Sequence, residues 1–140
     1  MSYNYHFIDH TADLAVEVQG DTLEEIFIAS ALAFREAVVE NINSKKEKYS
    51  FELYSYSPET LLVSFLNELN FRLNSERKII SSINSIKINS EGDNLKLKCN
   101  LLEENVDEDK IKTEIKSVTY HQMNLDKTDE GFKTIIVFDI

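Results

Sequence analysis

Apolar residues recur along this chain with two different periods, and the switches between them outline its elements. Leu23, Ile26, Phe27, Ser30, Ala31, Phe34, Ala37 and Val38 fall on one face at helical spacing, which predicts a helix whose buried face is core. Asp21 precedes it as an N-cap, with Glu24 three residues later completing a capping box. A second helix is signalled by Ser57-Pro58-Glu59, an N-cap followed by proline at the first helical position and an acid in the first turn. Its stripe is Leu61, Leu62, Phe65, Leu66, Leu69 and Leu73, and it runs out near Asn74-Ser75. Elsewhere the period is two. Residues 5–8 and 14–18 read as a strand pair closed by Gly20-Asp21, and 49–56, 79–89, 94–102, 114–125 and 132–138 read as further strands. Glu91-Gly92-Asp93 and Asp129-Glu130-Gly131 have the composition of turns. The acidic stretch 103–109 lacks the central glycine and alternating oxygen ligands of a calcium loop, and reads as a solvated loop. Two amphipathic helices packed with a largely antiparallel sheet make this an α+β fold, residues 1–140 forming a single domain.

Composition narrows the picture. A chain of 140 residues with 42% hydrophobic and 29% charged residues, one proline and three glycines can bury its own core without disulfides or structural zinc. Its one cysteine, Cys99, shares a face with Leu95, Leu97 and Leu101 and reads as an inert core thiol. There is no apolar run of membrane-spanning length and no basic-then-apolar leader, so the expectation is a cytoplasmic protein without membrane contact. Fifteen basic against 25 acidic residues leave a net charge of −10, which works against free nucleic-acid binding. Any RNA role is expected to be indirect, whereas a basic protein partner would be well steered.

Candidate chemistry gathers at the two ends of the sequence. Asp13 precedes the strand Leu14-Ala15-Val16-Glu17-Val18, and Asp139 sits in the apolar ending Ile135-Ile136-Val137-Phe138-Asp139-Ile140. If the ends meet, two carboxylates and a terminal one stand together, an arrangement that calls for protons or a hard cation such as calcium or magnesium. The plainer reading remains open, with Asp13 capping a turn and Asp139 facing solvent from an edge strand. His10, beside Thr11, reads more readily as a hydrogen-bonding turn residue than as a ligand, and His6 and Cys99 lack the spacing of a zinc site. Lys116 alternates with Val118 and Tyr120, which places it either at the rim of a pocket or snorkelling to water. The chain has no nucleophile elbow, P-loop or glycine-rich phosphate cradle. A stand-alone metal-dependent phosphoester hydrolase is the rival reading, but no base carries a local signature; a general chaperone would need an exposed apolar groove.

The segments DHTADLAVEVQGDTLEEIF, PETLLVSFLNELNF, EIKSVTYHQMNL and IIVFDI, in that order, resemble the archease family over essentially the whole chain. Archeases assist the RtcB-type RNA ligase, which joins 2′,3′-cyclic-phosphate or 3′-phosphate ends to 5′-hydroxyl ends in tRNA splicing and RNA repair. The resemblance implies a cofactor and not an enzyme, one that promotes guanylylation of the ligase and its multiple turnover. It also implies a metal, commonly calcium, held by the aspartates that correspond to Asp13 and Asp139, with oxygen from Ile140. The functional lysine of the family corresponds to Lys116, and Glu68 falls on a frequently acidic helix position. His10 and Glu68 are the candidates for supporting that site. Ser117 departs from the commoner alanine, a change confined to local contacts.

Overall fold

The computed structural model describes residues 2–8, 13–120 and 122–140. Seven strands and two helices follow one another as β1 (Tyr3–Ile8), β2 (Leu14–Gly20), α1 (Leu23–Val38), β3 (Lys46–Ser55), α2 (Pro58–Glu76), β4 (Lys78–Glu91), β5 (Asn94–Asn105), β6 (Ser117–Thr119) and β7 (Phe132–Asp139). All pairings are antiparallel, but they build two sheets, one ordered β1-β2-β7-β6 and the other β3-β5-β4. Helix α1 packs on β1, β2 and β7 of the first sheet and on β4 of the second, while α2 packs on β3, β4 and β5 and reaches β6. The architecture is α+β, and the helices carry the core between the sheets.

Aromatic rings trace that core from one sheet to the other. Phe138 of β7 meets Phe34 of α1 at 6.4 Å between centroids, Phe27 of α1 meets Phe65 of α2 at 5.2 Å, and Phe65 meets Phe51 of β3 at 6.0 Å. Such tilted pairs add to the area they bury. Helix α1 is buried on more than one side, and Ala29, Ala31, Ala33 and Ala37 are the small residues that let neighbouring backbones approach it. The stripe foreseen for α2 is buried in full, and Cys99 is fully buried between Leu97 and Leu101 on β5. Burial pushes the Cys99 thiol up to about 12.

Three expectations shift. The cap of α1 is Thr22 with Glu25, one residue later than Asp21 with Glu24. Glu25 accepts from the N–H groups of Ser2, Asp21 and Thr22, and although burial opposes its charge these bonds hold its carboxyl below the usual range. Among the described residues of 114–125 only Ser117–Thr119 pair as a strand, because backbone groups on either side are satisfied by side chains of α2. The stretch 103–109 is not wholly a solvated loop. Glu103 and Glu104 belong to β5 and are buried, Glu103 paired with Arg72 of α2 and Glu104 with Arg35 of α1 and Lys46 of β3. Arg35 Nη1 donates to the Ile80 carbonyl at 2.7 Å, and its 2.9 Å approach to Glu104 Oε2 is a charge contact without hydrogen-bond geometry. Ser44 N–H binds the other oxygen at 2.7 Å.

One backbone contact joins the turn before β7 to the end of β2. Gly131 has φ +94°, and a Cβ there would stand 2.6 Å from the Gly20 carbonyl oxygen, so both its conformation and its neighbour demand glycine.

Candidate functional site

The pairing of β2 with β7 brings the two ends of the sequence together. Leu14 and Phe138 are the last pair of that register; Asp13 immediately precedes the one and Asp139 immediately follows the other, so both acids stand at the same end of the sheet. On its other side β7 is flanked by β6, with Ser117 opposite Asp139 and the Lys116 N–H donating to the Asp139 carbonyl at 2.8 Å. Asp139 thus stands between the chain of Asp13 and the chain of Lys116. Asp13 is half-buried, Asp139, Ile140 and Lys116 are exposed, and Val118 alone of the Lys116-Val118-Tyr120 set is buried.

Lys116 owes its place to α2. Asn70, buried on that helix, donates through Nδ2 to the Ile115 carbonyl at 2.8 Å, fixing the residue just before the lysine. Near the start of the same helix Glu59 accepts from the Leu125 N–H at 2.7 Å. The segment 115–125 is therefore clasped at both ends by one helix, and Lys116 and Asp139 meet at the near end.

Among the described residues the acidic donors at this end are the carboxylates of Asp13 and Asp139, with main-chain carbonyls around them. Among the described residues no three His, Cys, Asp or Glu side chains converge as a metal cluster. Two carboxylates with carbonyl and water oxygen fit calcium, whose coordination is irregular, better than zinc, which takes nitrogen and sulfur as well.

The archease protein family (MTH1598/TM1083) matches this chain over residues 5–140. This chain belongs to the archease family. It is 34% identical over 137 residues to Protein archease of Archaeoglobus fulgidus, covering 97% of this chain and 98% of that one. It is 35% identical to Protein archease of Pyrococcus abyssi over 127 residues, 88% of each chain. Among solved structures, the solution structure of Methanobacterium thermoautotrophicum protein 1598 superposes with TM-score 0.78 at 30% identity, covering 97% of this chain and 98% of that one. The crystal structure of an archease from Thermotoga maritima, described as a possible chaperone, gives TM-score 0.58 at 25% identity over 95% and 94% of the two chains.

The archease-like segments separate in space into two groups. The ends of β2, β6 and β7 meet at the Asp13–Asp139 edge, whereas Glu68 looks elsewhere: its carboxylate accepts from the Tyr49 hydroxyl of β3 at 2.5 Å. Burial, then the neighbouring Glu68, push the Tyr49 phenol up to about 12. Arg72 lies over the same ring at 3.9 Å and pairs with Glu103. Glu68 is thus a member of a Tyr49–Arg72–Glu103 network, on the side of α2 away from Asn70. His10 lies outside the described residues. Asn70 was not singled out from the sequence, and Glu59 was read only as a first-turn acid; a polar residue beside the apolar stripe, Asn70 next to Leu69, is the signal that could have found the first.

Proposed function

We propose that this protein is an accessory factor of an RtcB-type RNA ligase, acting in tRNA splicing and RNA repair by promoting guanylylation of the ligase and its multiple turnover. The observation that carries this reading is the convergence of Asp13, Asp139 and Lys116 at one open sheet end of an archease-family fold. Those are the positions that the family resemblance marks as functional, and they come from three separate strands or strand ends. In this reading Asp13 and Asp139, with main-chain oxygen of Ile140, hold a divalent cation, calcium by the chemistry of the donors. The cation would supply fixed positive charge at the tip; Lys116, exposed next to it, would supply a second. A net charge of −10 favours oriented encounter with the basic, phosphate-binding mouth of a ligase.

The test is an RNA-joining assay with the cognate ligase at substoichiometric enzyme. Adding the protein should increase turnovers per ligase and the rate of guanylylation, and Asp13→Ala, Asp139→Ala and Lys116→Ala should each remove both gains. Equal turnover without the protein at cellular GTP and manganese would overturn the proposal. So would phosphoester turnover by the purified protein alone, which would favour a metal-dependent hydrolase instead.

A further inference from the structure

The outer face of the second sheet has a charge opposite to that of the molecule. In the cross-strand register Lys87 of β4 faces Lys98 of β5, and Lys98 faces Glu52 of β3 on its other side. One row along, Lys96 lies between Asn89 and Tyr54. Lys48 extends the same face, so four lysines stand there against Glu52 and Glu91 in a chain of net charge −10. Two like charges directly opposite one another destabilise a sheet. Among the described residues the acids that pair with other lysines leave Lys87 and Lys98 without an ion pair, Glu52 lying instead 3.7 Å from Lys96.

Aromatic and polar groups are interleaved with these lysines. Tyr54 is 54% exposed and Tyr56, just past the end of β3, 76% exposed. Lys96 Nζ stands 5.6 Å from the centre of the Tyr54 ring. In the row on the other side of Lys98, Ser50, Asn100 and Ser85 form a hydrogen-bonded ladder across all three strands, at 2.5 and 2.9 Å. Flat rings for unstacked bases, ammonium groups for phosphates and a hydroxyl-amide ladder able to meet a 2′-hydroxyl are the complement of single-stranded RNA.

We infer that the outer face of the β3-β5-β4 sheet is a weak docking surface for single-stranded RNA, with Lys87, Lys96 and Lys98 on phosphates and Tyr54 and Tyr56 stacking on bases. The inference stands on this face alone and does not depend on the ligase reading. The expectation from net charge, that RNA contact is indirect, averages over the molecule; within a Debye length of this sheet the local charge decides. Such a surface binds strongly only at low salt.

The test is fluorescence anisotropy of a short labelled oligouridylate against the purified protein over a salt series. Three phosphate contacts predict a slope of log K against log salt of about −2, a loss of roughly fifteen- to twentyfold between about 50 and 200 mM. Lys87→Glu should abolish binding while raising the melting temperature, because it turns a repulsive cross-strand pair into an attractive one. Tyr54→Ala with Tyr56→Ala should weaken binding by about thirtyfold or more with the salt slope unchanged. Lys133→Ala, on the first sheet, should leave binding intact. No binding at low salt, equal loss with Lys133→Ala, indifference to the tyrosine changes, or an oligodeoxythymidylate bound as tightly as the RNA would each overturn the assignment. Tighter capture of an acidic peptide than of the RNA would reassign the face to a protein partner.

Discussion

Asn70 and Ile115 are joined by a buried hydrogen bond, Nδ2 to main-chain carbonyl at 2.8 Å, that ties α2 to the residue preceding Lys116. Removing the donor leaves a carbonyl without its partner beside the site. Asn70→Ala should therefore cost about 1–3 kcal/mol in chemical denaturation. Lys116→Ala, which removes an exposed side chain, should change stability by less than about 0.5 kcal/mol. If the ligase reading holds, both variants should activate the ligase poorly, the first through a displaced Lys116. A stable Asn70→Ala protein would refute the clasp.

The two carboxylates at this sheet end make a prediction that needs no ligase. Calcium should raise the melting temperature of the protein, by an amount growing with the logarithm of its concentration above Kd, and should leave Asp13→Ala and Asp139→Ala nearly unmoved. Thermal scans with calcium, magnesium and chelator decide this. A calcium shift preserved in both variants would place the cation elsewhere.

Glu104 sets an acid limit on the fold. Burial opposes its charge, but the Ser44 N–H, Arg35 and Lys46 outweigh it and hold its carboxyl below the usual 4.5. A carboxylate with a depressed folded value contributes stability that is full above about pH 4.5 and is lost as pH falls through the folded value. Glu25 acts in the same direction. Denaturation between neutral pH and pH 3 should show this loss, and Glu104→Gln should flatten it. Arg35→Met, which leaves Glu104 with Lys46 and the Ser44 N–H but takes away one cation and the donor to the Ile80 carbonyl, should cost about 1–3 kcal/mol at neutral pH. Equal acid sensitivity in Glu104→Gln would exclude the residue as its source.

Cys99 should be chemically silent in the native state. With its thiol pushed up to about 12 and no exposed surface, thiolate is scarce and access requires opening. Its labelling by a disulfide reagent at pH 8 should follow the rate or population of unfolding, rising steeply only with denaturant. Fast labelling of folded protein would contradict the burial of β5.

What could be read from the chain depended on whether a residue's fate was local. The stripes of α1 and α2 were legible because a helix repeats its buried face every three or four residues, and the structure buries Ile26, Phe34, Leu62 and Leu69 as that spacing requires. The cap at Thr22 was missed by one residue because Asp21 and Thr22 have equivalent chemistry; the bonds of Glu25 to Thr22, to Asp21 and to the distant Ser2 chose between them. Residues 114–125 alternate as a strand should, yet Asn70 and Glu59 take up their backbone groups, and no local pattern reports a partner lying 45 or 66 positions away. Glu103 and Glu104 look like solvated acids for the same reason, since their arginines come from two different helices.

The sequence by itself determined the elements, the α+β class and the candidate chemistry of Asp13, Lys116 and Asp139, because periodicity, capping residues and motif spacing are properties of short stretches of chain. Tertiary structure alone decided that the strands divide into two sheets, that Asp13 and Asp139 come to the same end of the β2–β7 pair, and that Lys87 opposes Lys98. Register between distant strands is fixed by which apolar faces can pack on α1 and α2 at once, and that condition exists only when the whole core assembles.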